Sequence, residues 1–312
     1  MNEQSGSFSM GRDKVSDTDI YYTMLSAEIK IIFQDVDGCL NPEDGEGFGV
    51  AVDWQPSTRQ IAMLQAIDAA VEASSLTHFV INTGRPWALV RNLVQHFKSS
   101  KARYFLLEHA CVLYDRERAA FINCAQLAAS HDLPELASRY RNIEIIETLF
   151  DWYRHRGQAL LEAHYRADLT PVEKIGNLSF VIPEGVDGAE MLTRIEALAR
   201  EELEGAQVDQ LDFLRSDRYI DILPGIHKLD GIHLLTAHLG LSLDQALAVG
   251  DFLNDLPVFE SFSRVMCPVN AHPQIKELTR AKGAGGHVSR LPYGAALLEL
   301  LKPVSTAGDS GA

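Results

Sequence analysis

The stretch IIFQDVDGCLNP, residues 31–42, constrains this chain more than any other. Ile31, Ile32 and Phe33 read as a buried strand, and two aspartates, Asp35 and Asp37, follow at once with Gly38 behind them. Carboxylates at the end of a core strand are costly to bury without a partner. Their placement is the question that the rest of the sequence has to answer.

Around that stretch, short apolar strands alternate with helical spacing. Strand signals at 29–34, 78–82 (HFVIN), 104–107 and 112–114 are interleaved with helical periodicity over 58–72 and 87–97. The pattern returns late, with helices over 229–239, 253–260 and 273–282 and strands at 246–249 (ALAV) and 265–267. This alternation predicts an α/β fold with a Rossmann-like parallel sheet covered on both faces. The middle reads differently. Helical stretches over 134–167 and 189–204 are joined by strand-like NLSFVIP (177–183), QLDFLRS (210–216) and RYIDILP (218–224), an inserted α+β unit. The expected organisation is a tail at 1–27, a core at 28–120 and 221–302, an insert at 121–220 and a second tail at 303–312.

Composition bounds the partners. A 312-residue chain with 46% hydrophobic and 23% charged residues is globular, and its net charge of −15 repels nucleic acid and anionic membranes. No apolar run approaches the roughly 18 residues of a membrane span. Neither nucleic acid nor membrane is therefore an expected partner. The first 28 residues lack the basic and then apolar pattern of a secretory signal. Cys39, Cys111, Cys124 and Cys267 are scattered without a CxxC pair. Reduced thiols and a cytoplasmic location are expected.

In open parallel sheets, ligands bind at the carboxyl ends of the strands. After the first strand come Asp35 and Asp37; after HFVIN come Thr83, Gly84 and Arg85; after ALAV come Gly250, Asp251, Asn254 and Asp255. Lys228 stands just ahead of a predicted helix. Each piece alone has a bland reading: DxDG as a turn, TGR as a helix cap, GDxxND as an acidic helix start, a lone Lys as a solvated charge. Turns do not explain all of them falling at strand ends. Four clustered carboxylates repel one another unless a cation compensates them, and so many oxygen ligands suit a hard ion such as Mg²⁺. His227 and His233 lie near Lys228, but no third ligand follows at zinc spacing.

The motifs DVDGCL (35–40), NTGR (82–85), HK (227–228) and GDFLND (250–255) resemble those of the haloacid dehalogenase-like (HAD) phosphatases. The insert between the second and third motifs resembles the C2-type cap of subfamily IIB, the Cof-like and sugar-phosphate phosphatases. The resemblance covers about 29–302. LLEHACVLYD (106–115) resembles the segment leading into the cap, where many members carry Glu-Asn-Gly-Ala; here His109 and Ala110 replace that Asn and Gly. GGHVSRLPYGAALLELL (285–301) resembles the usual C-terminal stretch, and Cys39 stands where Thr is commonest. The link at 41–54 is longer than usual and reads equally as a flap over the site or as a plain flexible loop.

The resemblance implies a Mg²⁺-dependent phosphomonoester hydrolase acting on a small phosphorylated metabolite, such as a sugar phosphate, through an aspartyl-phosphate. Asp35 would be the nucleophile and Asp37 the general acid and base. Thr83 and Lys228 would complete the catalytic set. Mg²⁺ would bind the Asp35 carboxylate, the Asp37 carbonyl and Asp251, with Asn254 and Asp255 supporting that shell and Gly84 and Arg85 meeting the substrate. A phosphomutase of the same superfamily uses the same nucleophile and stays open as an alternative. A catalytically silent metabolite-binding regulatory protein is expected to lose Asp35 or Asp37. Trp152, Tyr153, His155 and His164, on an expected insert helix, read as packing or solvated face, and Arg218 is a polar candidate for meeting the substrate.

Overall fold

The computed structural model describes residues 28–40, 48–49, 53–172, 174–215 and 218–301. Both expected tails and most of the 41–54 link lie outside them. Eight strands make one sheet: β1 (Ile31–Gln34), β2 (His78–Asn82), β3 (Tyr104–Leu107), β4 (Val112–Asp115), β5 (Ala120–Ile122), and, after the insert, β9 (Ala246–Val249), β10 (Val265–Cys267) and β11 (Gly286–Val288). Their order is β11-β10-β9-β1-β2-β3-β4-β5. The intervening β6 (Leu178–Val181), β7 (Asp212–Arg215) and β8 (Tyr219–Leu223) form a second sheet, order β6-β8-β7, antiparallel throughout.

The large sheet is parallel from β11 to β3. β1 lies inside it, between β2 and β9, with all four residues buried. A strand buried on both faces reads as a continuous apolar run, which is why IIF was legible. β4 and β5 turn back antiparallel and end the sheet.

Helices cover this sheet and fill the insert. α1 (Thr58–Ala73) opens on a capping box between Ser57 and Gln60. α2 (Trp87–Val94), α3 (Cys124–Ser130) and α4 (Pro134–Arg141) follow. The insert holds α5 (Ile143–Trp152), α6 (Gln158–Tyr165), α7 (Gly188–Glu202) and α8 (Gly205–Val208). The chain closes with α9 (Lys228–Leu239), α10 (Leu256–Ser261), α11 (Pro273–Ala281) and α12 (Tyr293–Leu301). The helical stretch expected over 134–167 is broken: Asn142 closes α4 and opens α5, and a π-turn over Tyr153–Gly157 separates α5 from α6. Among the described residues no helix is long and apolar enough to cross a membrane.

Two apolar cores result. The first runs through the large sheet and includes Cys124, Ala128, Leu136, Ala137 and Tyr140. The second gathers Ile146, Tyr153, Phe180, Ile195, Ile220 and Ile222. Apolar packing thus changes sides between Tyr140 and Ile146 on the way out, and between Ile222 and Leu223 on the return. The expected insert, 121–220, includes α3 and α4, whose buried residues pack in the first core.

Past β3 the backbone does something unusual. Glu108, His109 and Ala110 all adopt positive φ, at 53°, 59° and 74°. Such angles cost free energy in L-residues and persist only where the surroundings fix them. Here the Glu108 N–H donates to the Arg85 carbonyl at 3.1 Å and the His109 N–H to the Thr83 carbonyl at 3.0 Å. The buried Glu108 carboxylate accepts N–H bonds from Ile175 (2.9 Å) and Gly176 (2.7 Å), just ahead of β6. This turn therefore ties the TGR loop to the insert. Replacing Glu108 with Ala strands the buried Gly176 N–H and frees the partly buried Ile175 N–H, and should lower stability by about 2 kcal/mol in denaturant unfolding. Glu108→Gln, which keeps an acceptor oxygen, should lose less. Equal losses for the two variants would mean that these bonds do not hold the turn.

Candidate active site

The edge of the large sheet where β1, β2 and β9 end carries most of the acidic groups singled out in the sequence. The Asp35 N–H continues the β1–β9 ladder to the Val249 carbonyl at 3.0 Å, which fixes its side chain just past the strand. Asp35 Oδ1 accepts its neighbour's N–H, that of Val36, at 2.8 Å. Lys228 opens α9 behind a capping box in which Asp230 accepts the His227 N–H. Its ammonium, only 2% exposed, lies 2.9 Å from Asp35 Oδ1 and 2.7 Å from Asp255 Oδ1. The second oxygen of Asp255 accepts the N–H groups of Asp251 (3.1 Å) and Phe252 (3.4 Å) and so folds the post-β9 loop around itself. Carboxylate oxygens of Asp35, Asp251 and Asp255 all lie within 4.8 Å of one another.

Two glycines make this approach possible. A Cβ on Gly38, where φ is +70°, would sit 1.9 Å from Asp251 Oδ2. One on Gly250 would sit 2.4 Å from Asp255 Oδ2. Beside the cluster, Arg85 grips Asp37 with a two-pronged bond, Nε to Oδ2 at 2.8 Å and Nη2 to Oδ1 at 2.7 Å. The same guanidinium donates to the carbonyls of Phe48 and Gly49. Thr83 is fully buried, with its hydroxyl oxygen accepting the Arg85 N–H at 3.2 Å. Asn254 is exposed.

The structure thus brings Asp35, Asp251, Asp255 and Lys228 into one cluster, and sets Asp37 with Arg85 next to it. Arg85, expected to meet substrate, holds Asp37. Asp255, expected in a supporting shell, has its carboxylate within the cluster and on the lysine.

Electrostatics defines what the cluster needs. Burial pushes the Asp35 carboxyl well up; Lys228 opposes this, while Asp255, Asp251 and Asp37 reinforce it. Lys228 is held charged, because Asp255 and Asp35 more than offset its burial. Burial and then Asp255 push Asp251 up to about 7. With all three carboxylates ionised, one ammonium leaves two negative charges uncompensated, and the raised Asp35 and Asp251 carboxyls reflect that shortfall together with their burial. A divalent, oxygen-seeking cation fits that donor set and charge.

A second polar group borders this edge and was not anticipated. The His109 ring packs where a Cβ on Gly84 would lie, 2.6 Å from Nε2, and faces Asp221 of β8. Lys174, Asn177 and Ser179 bond the same Asp221. The available signal was one strongly polar residue inside each of two otherwise apolar strands, Ser179 in LSFV and Asp221 in YIDIL.

A sheet covered by helices, with its polar groups gathered at the strand ends, defines an α/β enzyme whose chemistry sits at that edge. Known proteins narrow the class. The haloacid dehalogenase-like hydrolase family matches residues 32–282, and the chain belongs to it. A 57-residue stretch, 18% of this chain, is 40% identical to an HMP-PP phosphatase of Citrobacter koseri and spans 21% of that protein. The fold is similar to that of a sucrose-phosphatase from Synechocystis, solved with sucrose and phosphate. The similarity covers 86% of this chain and 95% of the other, at a TM-score of 0.56 and 16% identity. A HAD/COF-like hydrolase from Plasmodium vivax shares the fold over 90% of this chain and 97% of its own, with a TM-score of 0.53 and 15% identity.

The raised Asp251 carboxyl has a measurable consequence. Folded, it keeps a proton up to about pH 7; the unfolded chain releases that proton near pH 3.9, an approximate reference value. Its contribution to stability is therefore full below about pH 4 and is lost as pH rises to about 7. In chelator, the melting temperature should fall between about pH 5 and about pH 7.5 by more in the wild type than in Asp251→Asn. Parallel pH profiles for the two proteins would contradict the assignment.

Proposed function

We propose that this chain is a Mg²⁺-dependent phosphomonoester hydrolase that acts on a small phosphorylated metabolite through an aspartyl-phosphate on Asp35. One observation carries the reading. A buried lysine bridges a strand-end aspartate and a second carboxylate, in a cluster that is still short of two positive charges. The names of the HMP-PP phosphatase and the sucrose-phosphatase support a phosphate ester as substrate. The reading takes 28–120 and 221–302 as catalytic core and the insert as cap. It also takes the cytoplasm as location, which the free, buried thiols of all four cysteines support.

The chain's own residues divide the work. An oxygen of Asp35 forms a bond to phosphorus as the bridging P–O bond breaks. Asp37 gives a proton to the departing oxygen, then takes one from the water that releases phosphate from Asp35. The fork of Arg85 fixes where Asp37 stands. Lys228 opposes the burial that disfavours a charge on Asp35, and it offsets charge on the phosphoryl group. Thr83 donates to a phosphoryl oxygen, and the Gly84–Arg85 backbone lines the phosphate site. Asp35, Asp251 and the Asp37 carbonyl would hold Mg²⁺, steadied by Asp255 and Asn254. The ion supplies Lewis-acid charge neutralisation at the phosphoryl oxygens.

Release of inorganic phosphate from p-nitrophenyl phosphate and a metabolite panel, with and without Mg²⁺, tests this. Activity should vanish in EDTA and return with Mg²⁺. Asp35→Asn should lose about a thousandfold or more in kcat while keeping its circular dichroism spectrum. A folded Asp35→Asn within about tenfold of wild type, only about 1.4 kcal/mol of barrier, would remove the nucleophile from this account.

A further inference from the structure

The open face of the insert's sheet carries a polar group that the phosphoryl chemistry does not use. Lys174 Nζ (3.0 Å), Asn177 Nδ2 (3.2 Å) and the Ser179 hydroxyl all donate to one oxygen of Asp221, Oδ1. The other oxygen, Oδ2, has only His109 Nε2 before it among the described residues, at 3.8 Å, beyond hydrogen-bond reach. Burial opposes a charge on Asp221, but Lys174 and then His109 more than offset it and hold the carboxyl well below the usual range. Burial pushes the His109 imidazole down. The result is a fixed carboxylate oxygen and a ring nitrogen that stand 3.8 Å apart. Both side chains keep some exposure, 14% and 12%.

The pair borders the proposed phosphoryl site. The His109 ring packs on Gly84, the central residue of the TGR loop, and its N–H is bonded to Thr83. His109 lies within electrostatic reach of Lys228, and Arg85 within reach of Tyr219 on β8. On the same sheet face, Leu214 stands directly opposite Asp221, and Val181 opposite Tyr219. Leu214 and Val181 are 38% and 46% exposed, so the described residues bury neither of them fully. A charged acceptor flanked by uncovered apolar side chains suits a ligand with polar edges on an apolar body.

We propose that Asp221 and His109 form the leaving-group subsite of this enzyme and select phosphate esters whose alcohol carries a hydroxyl or amino donor. An oxygen or nitrogen beside the pair, off the line that joins the two atoms, can lie about 2.8 Å from each partner. A hydroxyl donates to Asp221 Oδ2 and accepts from His109 Nε2–H; an amino group donates to both when that nitrogen is unprotonated. Lys174, Asn177 and Ser179 hold Asp221 through its other oxygen and do not touch the ligand. The inference rests on the phosphatase reading and names the class of substrate within it.

The test compares kcat/KM for two series of esters with that for p-nitrophenyl phosphate, which has no such donor. One series is polyol and sugar phosphates, the other phosphates of amino-substituted heterocyclic alcohols. In Asp221→Asn the ratio for the preferred series should fall about tenfold or more, and the series that falls identifies the source of the donor. His109→Leu should lower the same ratio, and covers the case in which Asp221→Asn does not fold. Wild-type enzyme gives a third measurement: the dephosphorylated alcohols of the preferred series should inhibit p-nitrophenyl phosphate hydrolysis competitively, and alkyl alcohols of equal size should not. Ratios unchanged in folded variants, or equal inhibition by alkyl alcohols, would overturn the subsite while leaving the phosphatase reading intact. Wild-type protein that hydrolyses no ester would overturn both.

Discussion

Everything at this edge depends on the Lys228 ammonium, clasped at 2.9 Å by Asp35 and at 2.7 Å by Asp255. A buried ion pair is weak evidence for stability, because desolvating both charges offsets much of their attraction. Its value here is geometric. One side chain from the start of α9 reaches the loops behind β1 and β9 and fixes their spacing. Asp255 in turn shapes its own loop through two backbone N–H groups. Losing the lysine would leave three carboxylates facing one another with no charge to hold them.

The second constraint is the left-handed run at Glu108, His109 and Ala110. Three successive residues in that region would not hold by themselves. They are held because their N–H groups answer the carbonyls of Thr83 and Arg85 while the Glu108 carboxylate answers the insert. The loop that carries Thr83 is thereby built from the same turn that anchors the second sheet. In the relatives that carry Asn and Gly at the two positions, both residues tolerate left-handed backbone; His109 and Ala110 tolerate it less.

Much of this was legible in the sequence, for identifiable reasons. β1, β2 and β9 are apolar runs that end abruptly in polar residues, so both the strands and the edge they share could be read. Asp251 was legible because its motif sits at such an end, and Lys228 because it stands at the start of a helix with a clear apolar period. β5 and β11 were missed: each has three residues, none of them fully buried, too short for a periodic signal. α4, α5 and α6 ran together because the break at Asn142 carries no Pro or Gly, and the single Gly157 of the π-turn is followed at once by renewed helical sequence. Whether the 41–54 link is a flap lies mostly outside the described residues, although Phe48 and Trp54 pack edge to face at 5.8 Å. The grip of Arg85 on Asp37 spans 48 residues, and that of Lys174 on Asp221 spans 47. Such pairs depend on how loops and sheets come together, which no local pattern records.

The position of β1 inside its sheet also bears on how the protein is made. One neighbour, β2, is 47 residues downstream by register, Ile31 against His78, but the other, β9, places Ala246 against the same Ile31. On a ribosome, β1 leaves the tunnel long before β9 exists, and one backbone edge of an apolar strand stays unpaired while the whole insert is synthesised. Closing so distant a pair is slow, and exposed strand edges invite association with other chains. The second sheet, with its own core, can form within that interval. The nascent chain would then wait as a folded insert beside a half-built sheet until β9 and Lys228 arrive together to complete it.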